Sequence, residues 1–201
     1  MQDFKHKVIK QYIETKLNLT TEKQDLLLQR VAPMCSIQKT IKYQDVESPG
    51  PAHEGRLWLS TQAMVHSYHY NKVRGANYGT QIWKKNEIIL FASSLLFGED
   101  RTNHIQMLES GIVLSLSYRD ALTLREEFPE VTAHIEQIIV QNEQASQHRI
   151  LLLNEPSVDR IVKFEAENPL FCTIASVGTK AMHVGLTRQG YTVLKKKLMG
   201  R

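Results

Sequence analysis

The stretch that most constrains the fold is residues 129–154, PEVTAHIEQIIVQNEQASQHRILLLN. After its first residue it contains neither proline nor glycine, and it is too long to be an ordinary surface helix fragment. Two rows of residues recur in it at intervals of seven and fit the d and a positions of a heptad repeat. The first row is Val131, Ile138, Ala145 and Leu152, and the second is Ile135, Asn142 and Arg149. The pattern predicts one long helix with a single narrow seam.

An apolar seam has to pack against another surface, and the periodicity is compatible with two such surfaces. A second copy of the chain can pack along it. The single Asn142 at an a position then favours a defined register and a two-stranded pairing, at some cost in stability. In the alternative, the helix buries the seam against its own domain. We adopt the first interpretation, which makes the seven residues of both rows a homodimer interface.

The composition is that of a soluble globular protein with one large or two small domains. Hydrophobic residues make up 42% and charged residues 23% of the 201 residues, which are ordinary values. No apolar run is long enough to span a bilayer, and residues 1–10 are charged rather than signal-like, which predicts a cytoplasmic protein. Cys35 and Cys172 lie far apart and the eight histidines are scattered. No disulfide, metal site or cofactor is therefore predicted.

The net charge of +4 is unevenly placed along the chain. Residues 177–201 hold six Lys or Arg residues and no Asp or Glu. A basic end on a nearly balanced body predicts a polyanionic partner. The alternative is a solvated helix face or a frayed tail.

Ahead of the long helix, the chain changes from helical to strand-like character. Residues 3–17 and 22–31 have helical patterns, and Pro33 is expected to end the second helix. From residue 57 to residue 118, short apolar runs separated by turn residues predict an antiparallel barrel or two-sheet roll. The pattern Ser117-Tyr118-Arg119-Asp120 then resembles a capping box that opens a short helix.

Beyond the long helix, residues 154–157 (Asn-Glu-Pro-Ser) mark a boundary. Residues 158–167 have a helical pattern, and residues 179–184 and 187–198 predict a helix, a tight turn at Gly185 and a second helix. The chain is therefore expected to be α+β, with three parts. They are an N-terminal roll domain at 1–128, a dimerisation helix at 129–154 and a helix-turn-helix domain at 155–201.

This order of elements resembles the Crp/Fnr family of bacterial transcription regulators, and most closely its divergent Bacteroidetes members. The stretches that carry the resemblance are Leu116–Leu122, Glu127–Val131, Arg160–Val162, Asn168-Pro169, Ala181, Gly185, Thr187 and Lys195–Leu198. The resemblance implies a roll like that of cyclic-nucleotide-binding domains, a dimerisation helix and a C-terminal DNA-binding unit.

The family's nucleotide pocket combines a Gly-Glu pair for the ribose with a later Arg-Ser or Arg-Thr pair for the cyclic phosphate. Arg101-Thr102 matches the second half, which makes these two the candidate ligand-binding residues. Residues 90–93 (Leu-Phe-Ala-Ser) occupy the first half, and the apolar Phe91 cannot accept ribose hydrogen bonds. We therefore predict no response to cyclic nucleotide and expect Arg101 at the surface or in a hairpin. The sequence is compatible with a different small molecule as effector.

The resemblance also implies that the last helix enters the major groove of duplex DNA. Arginine and glutamine side chains suit guanine and adenine edges, whereas lysines suit phosphates. The candidate DNA-binding residues are Thr187, Arg188, Gln189, Thr192, Lys195 and Lys196. The predicted partners are a double-stranded DNA operator and a second copy of the chain, and no membrane.

Departures from the family pattern support an alternative function. Val193 stands where the family usually has Arg, Gly190 lies inside the recognition helix, and Lys180 replaces an apolar residue. The sequence also ends three residues after Leu198, which leaves none for a hairpin wing. The alternative is a degenerate Crp-like dimeric module that binds a small molecule or protein without reading DNA. No enzyme and no catalytic residue are predicted, because no nucleophile turn or converging acid–base set is present.

Overall fold

Two four-stranded antiparallel sheets and nine α-helices make up the computed structural model, which describes residues 1–200. The helices are α1 (Gln2–Lys16), α2 (Thr21–Met34), α3 (Ala92–Phe97), α4 (Tyr118–Glu127), α5 (Pro129–Leu153), α6 (Ser157–Glu167), α7 (Pro169–Ile174), α8 (Val177–His183) and α9 (Arg188–Met199). The strands are β1 (Ser36–Thr40), β2 (Asp45–Glu47), β3 (Arg56–Ser60), β4 (Val65–Asn71), β5 (Ala76–Trp83), β6 (Ile88–Ile89), β7 (His104–Met107) and β8 (Gly111–Ser117).

The strands form an antiparallel roll, as predicted, but β1 and β2 precede the predicted region 57–118 and α3 lies within it. One sheet has the order β1-β8-β3-β6 and the other β2-β7-β4-β5, and all pairs are antiparallel. The predicted α+β class with an antiparallel roll is therefore confirmed. No helix within residues 1–200 is long and apolar enough to cross a bilayer.

Side-chain alternation decides what fills the roll. Val65 pairs with Trp83 on one side and with Met107 on the other, and these three side chains belong to the core between the two sheets. Their neighbours His66 and Ile82 point to the opposite face, because successive side chains of a strand alternate. The side chains on the inner faces therefore form the core between the two sheets, and those on the outer face contact the C-terminal helices.

The predicted caps form. The Ser117 hydroxyl accepts from the Asp120 backbone N–H at 3.1 Å and donates to the Asp120 carboxylate at 2.6 Å, which opens α4. The Thr20 hydroxyl accepts from the Lys23 backbone N–H at 3.5 Å at the start of α2. These helix starts depend on residues three positions apart, so the sequence alone can predict them.

Pro33 does not end α2, contrary to the prediction. The helix continues to Met34, and the Cys35 backbone N–H still donates to the Val31 carbonyl at 3.1 Å. A proline lacks only its own N–H and crowds the preceding turn. In the last turn of a helix that loss is a single hydrogen bond, and α2 tolerates it.

The N-terminal half of α5 packs its predicted seam against its own subunit. Ile135, which is 2% exposed, and Ile138 are buried in the core formed by the N-terminal helices, α4 and the sheet that contains β8. Val131 packs against the edge of the same core. Ile135 and Ile138 are thus unavailable to a second copy, which corrects their assignment to a dimer interface. The seven-residue period is real, but the surface that covers it belongs to the same chain.

The C-terminal half of α5 follows the same rule. The Asn142 carboxamide accepts from Gln81 Nε2 at 2.6 Å and donates to the Leu90 carbonyl at 3.3 Å, so both of its polar ends face the roll. Arg149 is half-buried and Leu152 is buried in a second core. Of the seven predicted interface residues, only Ala145 is exposed.

The second core joins the C-terminal helices to the outer face of the roll. Met64 and Leu108 come from the roll, and the rest come from α5 to α9 and the short connections between them. The helical members are Leu152, Ile161, Phe164, Phe171, Ala181 and Tyr191. Residues 155–200 therefore pack tightly on residues 1–128, and the boundaries between these parts as independent domains stay a prediction.

Replacing Ile135 by alanine tests the placement of the seam. We expect Ile135→Ala to lower the free energy of unfolding by about 2–5 kcal/mol, because it leaves a cavity in a closed core. The same change at Ile41, which is 70% exposed, is expected to stay within about 0.5 kcal/mol. Urea denaturation followed by circular dichroism measures both. Equal, small effects would show that Ile135 does not lie in a core.

Candidate nucleic-acid interface

A tight turn between α8 and α9 forms the helix-turn-helix unit. Gly185 lies in this turn with a φ of +65°, a left-handed conformation that favours glycine. The Ser176 hydroxyl caps α8 by accepting from the Thr179 N–H at 3.1 Å, and the Thr187 hydroxyl caps α9 by accepting from the Gly190 N–H at 3.0 Å. These local contacts fix the residue at which α9 begins.

One side of α9 packs into the protein and the other faces solvent. Tyr191 is buried, and Leu194 and Leu198 pack at the edge of the second core. The exposed residues of α9 and its cap are Thr187, Arg188, Gln189, Thr192, Val193, Lys196, Lys197 and Met199. Five of the six predicted DNA-binding residues lie on this exposed side. The exception is Lys195.

Lys195 is held by a carboxylate of its own subunit. Its ammonium group pairs with Glu165 of α6, and the hydroxyl of Tyr191 donates to the same carboxylate. Burial opposes the charge of Glu165, but the hydrogen bonds from Lys195 and Tyr191 prevail and lower its pKa. Lys195 therefore links α9 to α6, and its assignment as a DNA-binding residue stays a prediction.

The remaining exposed groups of α9 suit a polyanion with hydrogen-bonding edges. Arg188 and Gln189 make no side-chain hydrogen bond to any residue in 1–200, so their donors are free. Lys196 and Lys197 add positive charge two turns further on, and α9 contains no acidic residue. Polar residues at the start of a helix can contact base edges, while cations further along the same side contact phosphates.

Two buried histidines join α8 to the roll. His66 of β4 and His183 of α8 are both less than 4% exposed, and His66 Nδ1 lies 3.2 Å from His183 Nε2. The His183 ring stacks on Phe164 and meets Phe171 edge-on. This contact fixes the first helix of the helix-turn-helix unit against the outer face of the sheet.

A chain of hydrogen bonds decides which nitrogen of each histidine carries a proton. The Gln106 amide donates to Asp45 Oδ1 at 3.0 Å, so its oxygen faces His66 Nε2 at 3.2 Å. His66 Nε2 must then donate, and neutral His66 accepts at Nδ1 from His183 Nε2. Protonation of His66 would place two N–H groups face to face and break the contact.

Burial keeps both histidines neutral. It lowers the pKa of His66 to about 4, although Gln106 and Asp45 act in the opposite direction. Burial also lowers the pKa of His183, and the neighbouring His66 and Arg149 add to that effect. A buried imidazole loses the solvation of its charged form, so the neutral form is favoured.

The sequence interpretation missed His183 and its pairing with His66. The two residues are 117 positions apart, which no local pattern can connect. One signal was present, because a glycine inside a strand often marks a close backbone approach. Gly79 of β5 is that glycine: a Cβ at this position would lie 2.5 Å from the His183 ring.

Arg101 is buried in the roll domain and does not lie at the surface. It is 7% exposed, and its guanidinium pairs with Glu47 and with Glu54, each at 3.3 Å. Its Nε also donates to the Pro51 carbonyl at 3.1 Å. Arg101 is thus occupied by groups of its own chain, while the adjacent Thr102 is exposed. This corrects the expectation of a surface or hairpin residue.

Aromatic residues occupy the interior of the roll beside this ion pair. Trp58 donates from Nε1 to Glu47 at 2.6 Å, and Trp83 meets Phe91 edge-on. Burial raises the pKa of Glu47, and the hydrogen bond from Trp58 and the positive charge of Arg101 oppose that shift. The space between the sheets is therefore filled by the chain's own side chains.

A separate cleft of about 550 Å³ opens outside the roll. It lies between α1, β5, α5 and α7, and Tyr12, Trp83, His134, Asn142 and Phe171 contribute to its walls. Tyr12 and His134 are hydrogen-bonded at 2.8 Å across it. The cleft adjoins all three predicted parts of the chain, and it is large enough for a small molecule.

The outer side of α5 carries a second seven-residue pattern. Its members alternate at spacings of four and three, and all are exposed: Ala133, Gln137, Val140, Gln144, Gln147 and Leu151. Such spacing gives a continuous stripe on one helix face. Val140 and Leu151 are its large apolar members. This stripe, and not the inner row, is free to meet another molecule.

The buried histidine pair predicts a pH dependence of stability. An unfolded histidine has its ordinary pKa of about 6.5, whereas both folded values are lower, so the unfolded chain binds protons first. The stabilisation is complete above about pH 6.5 and is lost as the pH falls towards about 4, by up to about 1.4 kcal/mol per pH unit for each histidine. Urea unfolding at several values from about pH 7.5 to about pH 5.5 measures this slope.

Two variants serve as controls for this slope. His66→Gln keeps a polar group beside Gln106 but cannot titrate, so we expect a smaller loss of stability on acidification. His6→Gln changes an exposed histidine and is expected to leave the slope unchanged. An unchanged slope in His66→Gln would contradict the assignment.

The fold described above is similar to that of several solved structures. No protein-family model matches the sequence. No curated protein matches it either. Solved structures do match. CLP of Xanthomonas campestris, described as a c-di-GMP-responsive global regulator, aligns with a TM-score of 0.73 at 16% identity, over 88% of this chain and 92% of that one.

Two further structures are assigned to the Crp/Fnr family of transcriptional regulators. A chain from Eubacterium rectale aligns with a TM-score of 0.74 at 13% identity, over 91% of this chain and 85% of that one. A chain from Thermus thermophilus aligns with a TM-score of 0.65 at 15% identity, over 82% of this chain and 86% of that one. From roll to recognition helix, the protein therefore has the fold of the Crp/Fnr transcription regulators.

Proposed function

We propose that this protein is a Crp/Fnr-type transcription regulator that binds duplex DNA as a homodimer. The observation that carries the proposal is the exposed start of α9, where Arg188, Gln189 and Thr192 project from the second helix of a helix-turn-helix unit. The fold shared with regulators of this family supports it.

The exposed side of α9 fits the major groove in both shape and charge. In a helix-turn-helix unit the first residues of the second helix reach base edges. Arg188 suits guanine and Gln189 suits adenine, each through two hydrogen bonds. Lys196 and Lys197 supply salt-dependent attraction to phosphates. The Thr187 hydroxyl accepts within the cap, so its own O–H is free to donate to a phosphate.

We further propose that two copies pair along the outer side of α5. Val140 and Leu151 would form the apolar contacts, with Gln144 and Gln147 between them. Glutamines in such a stripe make the interface weaker than one lined with leucine. A two-fold pairing would give two copies of α9 the symmetry of a near-palindromic operator.

Cyclic nucleotide is not the effector in this proposal. A cyclic phosphate would have to displace Glu47 and Glu54 from Arg101, and its base would have to displace the aromatic residues that fill the roll. Breaking a buried ion pair costs about 3–5 kcal/mol when one partner is left uncompensated. An unidentified small molecule would instead fit the cleft between α1, β5, α5 and α7.

A second candidate function is a Crp-like dimeric module that binds a small molecule or protein without reading DNA. Val193 and the capture of Lys195 by Glu165 favour it, because both reduce the hydrogen-bonding or cationic groups that α9 offers to DNA. Selection of operator sequences from a random duplex library at moderate salt separates the two functions. The module predicts no enriched sequence, whereas the regulator predicts a near-palindromic one.

Removing the side chains of the first two residues of α9 tests the proposed DNA binding. We expect Arg188→Ala combined with Gln189→Ala to weaken operator binding by at least about tenfold, because each lost base contact costs about 1–3 kcal/mol. The matched control is Lys10→Ala combined with Gln11→Ala, an adjacent exposed pair on α1. Fluorescence anisotropy with the selected operator measures both. Full binding by the α9 variant would contradict the proposal.

Placing charges on the outer stripe tests the dimer. Val140→Glu combined with Leu151→Glu is expected to give a monomer at concentrations where the unchanged chain is a dimer, since like charges would face each other across the two-fold axis. Native mass spectrometry reports the state. Val73→Glu, at an exposed position between β4 and β5, controls for added charge. A dimeric α5 variant would exclude this face, and a monomeric unchanged chain would exclude the dimer.

A further inference from the structure

Val193 is an apolar residue on the otherwise polar side of α9. It is 54% exposed, one turn after Gln189 and one turn before Lys196 and Lys197. The inward side of α9 is already formed by Tyr191, Leu194 and Leu198. Val193 is therefore not needed for packing, and an amphipathic helix would have a polar residue there.

The surroundings of Val193 exclude a wide apolar docking patch on α9. Its neighbours on the helix surface, three and four residues away, are Gln189, Gly190, Lys196 and Lys197. None of them extends the apolar surface, and two are cations. The two methyl groups of Val193, isolated among positive charges, would contribute little binding free energy to a contact with a protein partner. The matching occupant is a polyanion that presents a single apolar group among hydrogen-bonding edges.

Duplex DNA presents such a group in its major groove. The C5-methyl of thymine is the apolar feature of the base-pair edges, and small aliphatic side chains contact it. We propose that Val193 selects a thymine by packing against this methyl group, an inference that rests on the proposed function. Because the side chain of Val193 has no hydrogen-bonding group, packing against a thymine methyl is the way in which it can contribute to sequence recognition.

The helix geometry gives the position of this thymine in the operator. Gln189 and Val193 are separated by four residues, or about 6 Å along the helix axis. Base pairs are stacked about 3.4 Å apart. A helix that lies along the groove therefore places the thymine about two base-pair steps from the adenine read by Gln189.

Gly190 allows the short valine to reach the bases. It is three residues before Val193, at the third position of α9, and it presents no side chain between the helix and the groove. A Cβ there would lie 3.2 Å from the Thr187 hydroxyl that caps the helix. A glycine at this position both keeps the cap uncrowded and brings the backbone of α9 closer to DNA.

Replacing thymine by deoxyuridine removes only the methyl group and so tests the contact. In the operator selected by the unchanged protein, one symmetry-related pair of thymines is expected to be sensitive, with binding about fourfold weaker for each thymine that is replaced. Val193→Ala is expected to lose this sensitivity, and Val193→Thr, which retains one methyl, to keep part of it. Val162→Ala is the matched control, because Val162 is also a half-exposed valine, at 49%, on α6.

The outcomes separate this inference from the proposed function. An enriched operator in which no thymine is sensitive, or equal sensitivity in the protein and in Val193→Ala, would overturn the role of Val193 and leave the regulator intact. A selection that enriches no sequence would overturn the regulator and this inference together. Sensitivity that is lost in Val193→Ala and retained in Val162→Ala supports the assignment.

Discussion

Burial of the inner row of α5 joins the two halves of the molecule. Ile135 and Ile138 complete the core of the roll and N-terminal helices, and Leu152 enters the core of the C-terminal helices. Burying apolar surface contributes about 25 cal/mol per Å², so a helix shared by two cores is strongly fixed in both. The orientation of α5 in turn decides which of its residues face solvent, and with them the stripe that a second copy can reach.

The contact between α8 and the roll determines what the helix-turn-helix unit can present. His183 fits over Gly79 and against His66, so α8 is held by the outer face of the sheet. Glu165 then holds α9 through Tyr191 and Lys195. These contacts take up the inner sides of both helices and leave Arg188 and its neighbours in solvent. The packing of α9 thus uses one side of the helix and leaves the opposite side, with its polar and basic residues, exposed.

Side chains of the chain itself occupy the interior of the roll. Arg101, the residue that resembles a phosphate ligand, is neutralised by Glu47 and Glu54, and tryptophan side chains fill the adjacent space. The Glu47 carboxylate is buried with the guanidinium, whereas the side chain of Glu54 is largely exposed. The cleft beside α5 is open to solvent and adjoins all three predicted parts of the chain.

The sequence predicted well wherever the determining residues lie close together. The cap at Ser117 and the turn at Gly185 each depend on residues within a few positions of one another. It also predicted that α5 is one long helix with a seven-residue row. It did not predict the ion pairs of Arg101 and Lys195, because the carboxylates that pair with them lie in distant segments and leave no local signal.

The amino-acid sequence by itself determined that α5 is one long helix with an apolar row, that the middle of the chain is rich in strands and that a tight turn falls at Gly185. Only the tertiary structure decided what covers each apolar side and which charge meets which. The reason is physical: backbone preference and periodicity act over a few residues, whereas burial and ion pairing depend on groups brought together from distant parts of the chain. The seam of α5 shows the difference, since its period was readable and its partner was not.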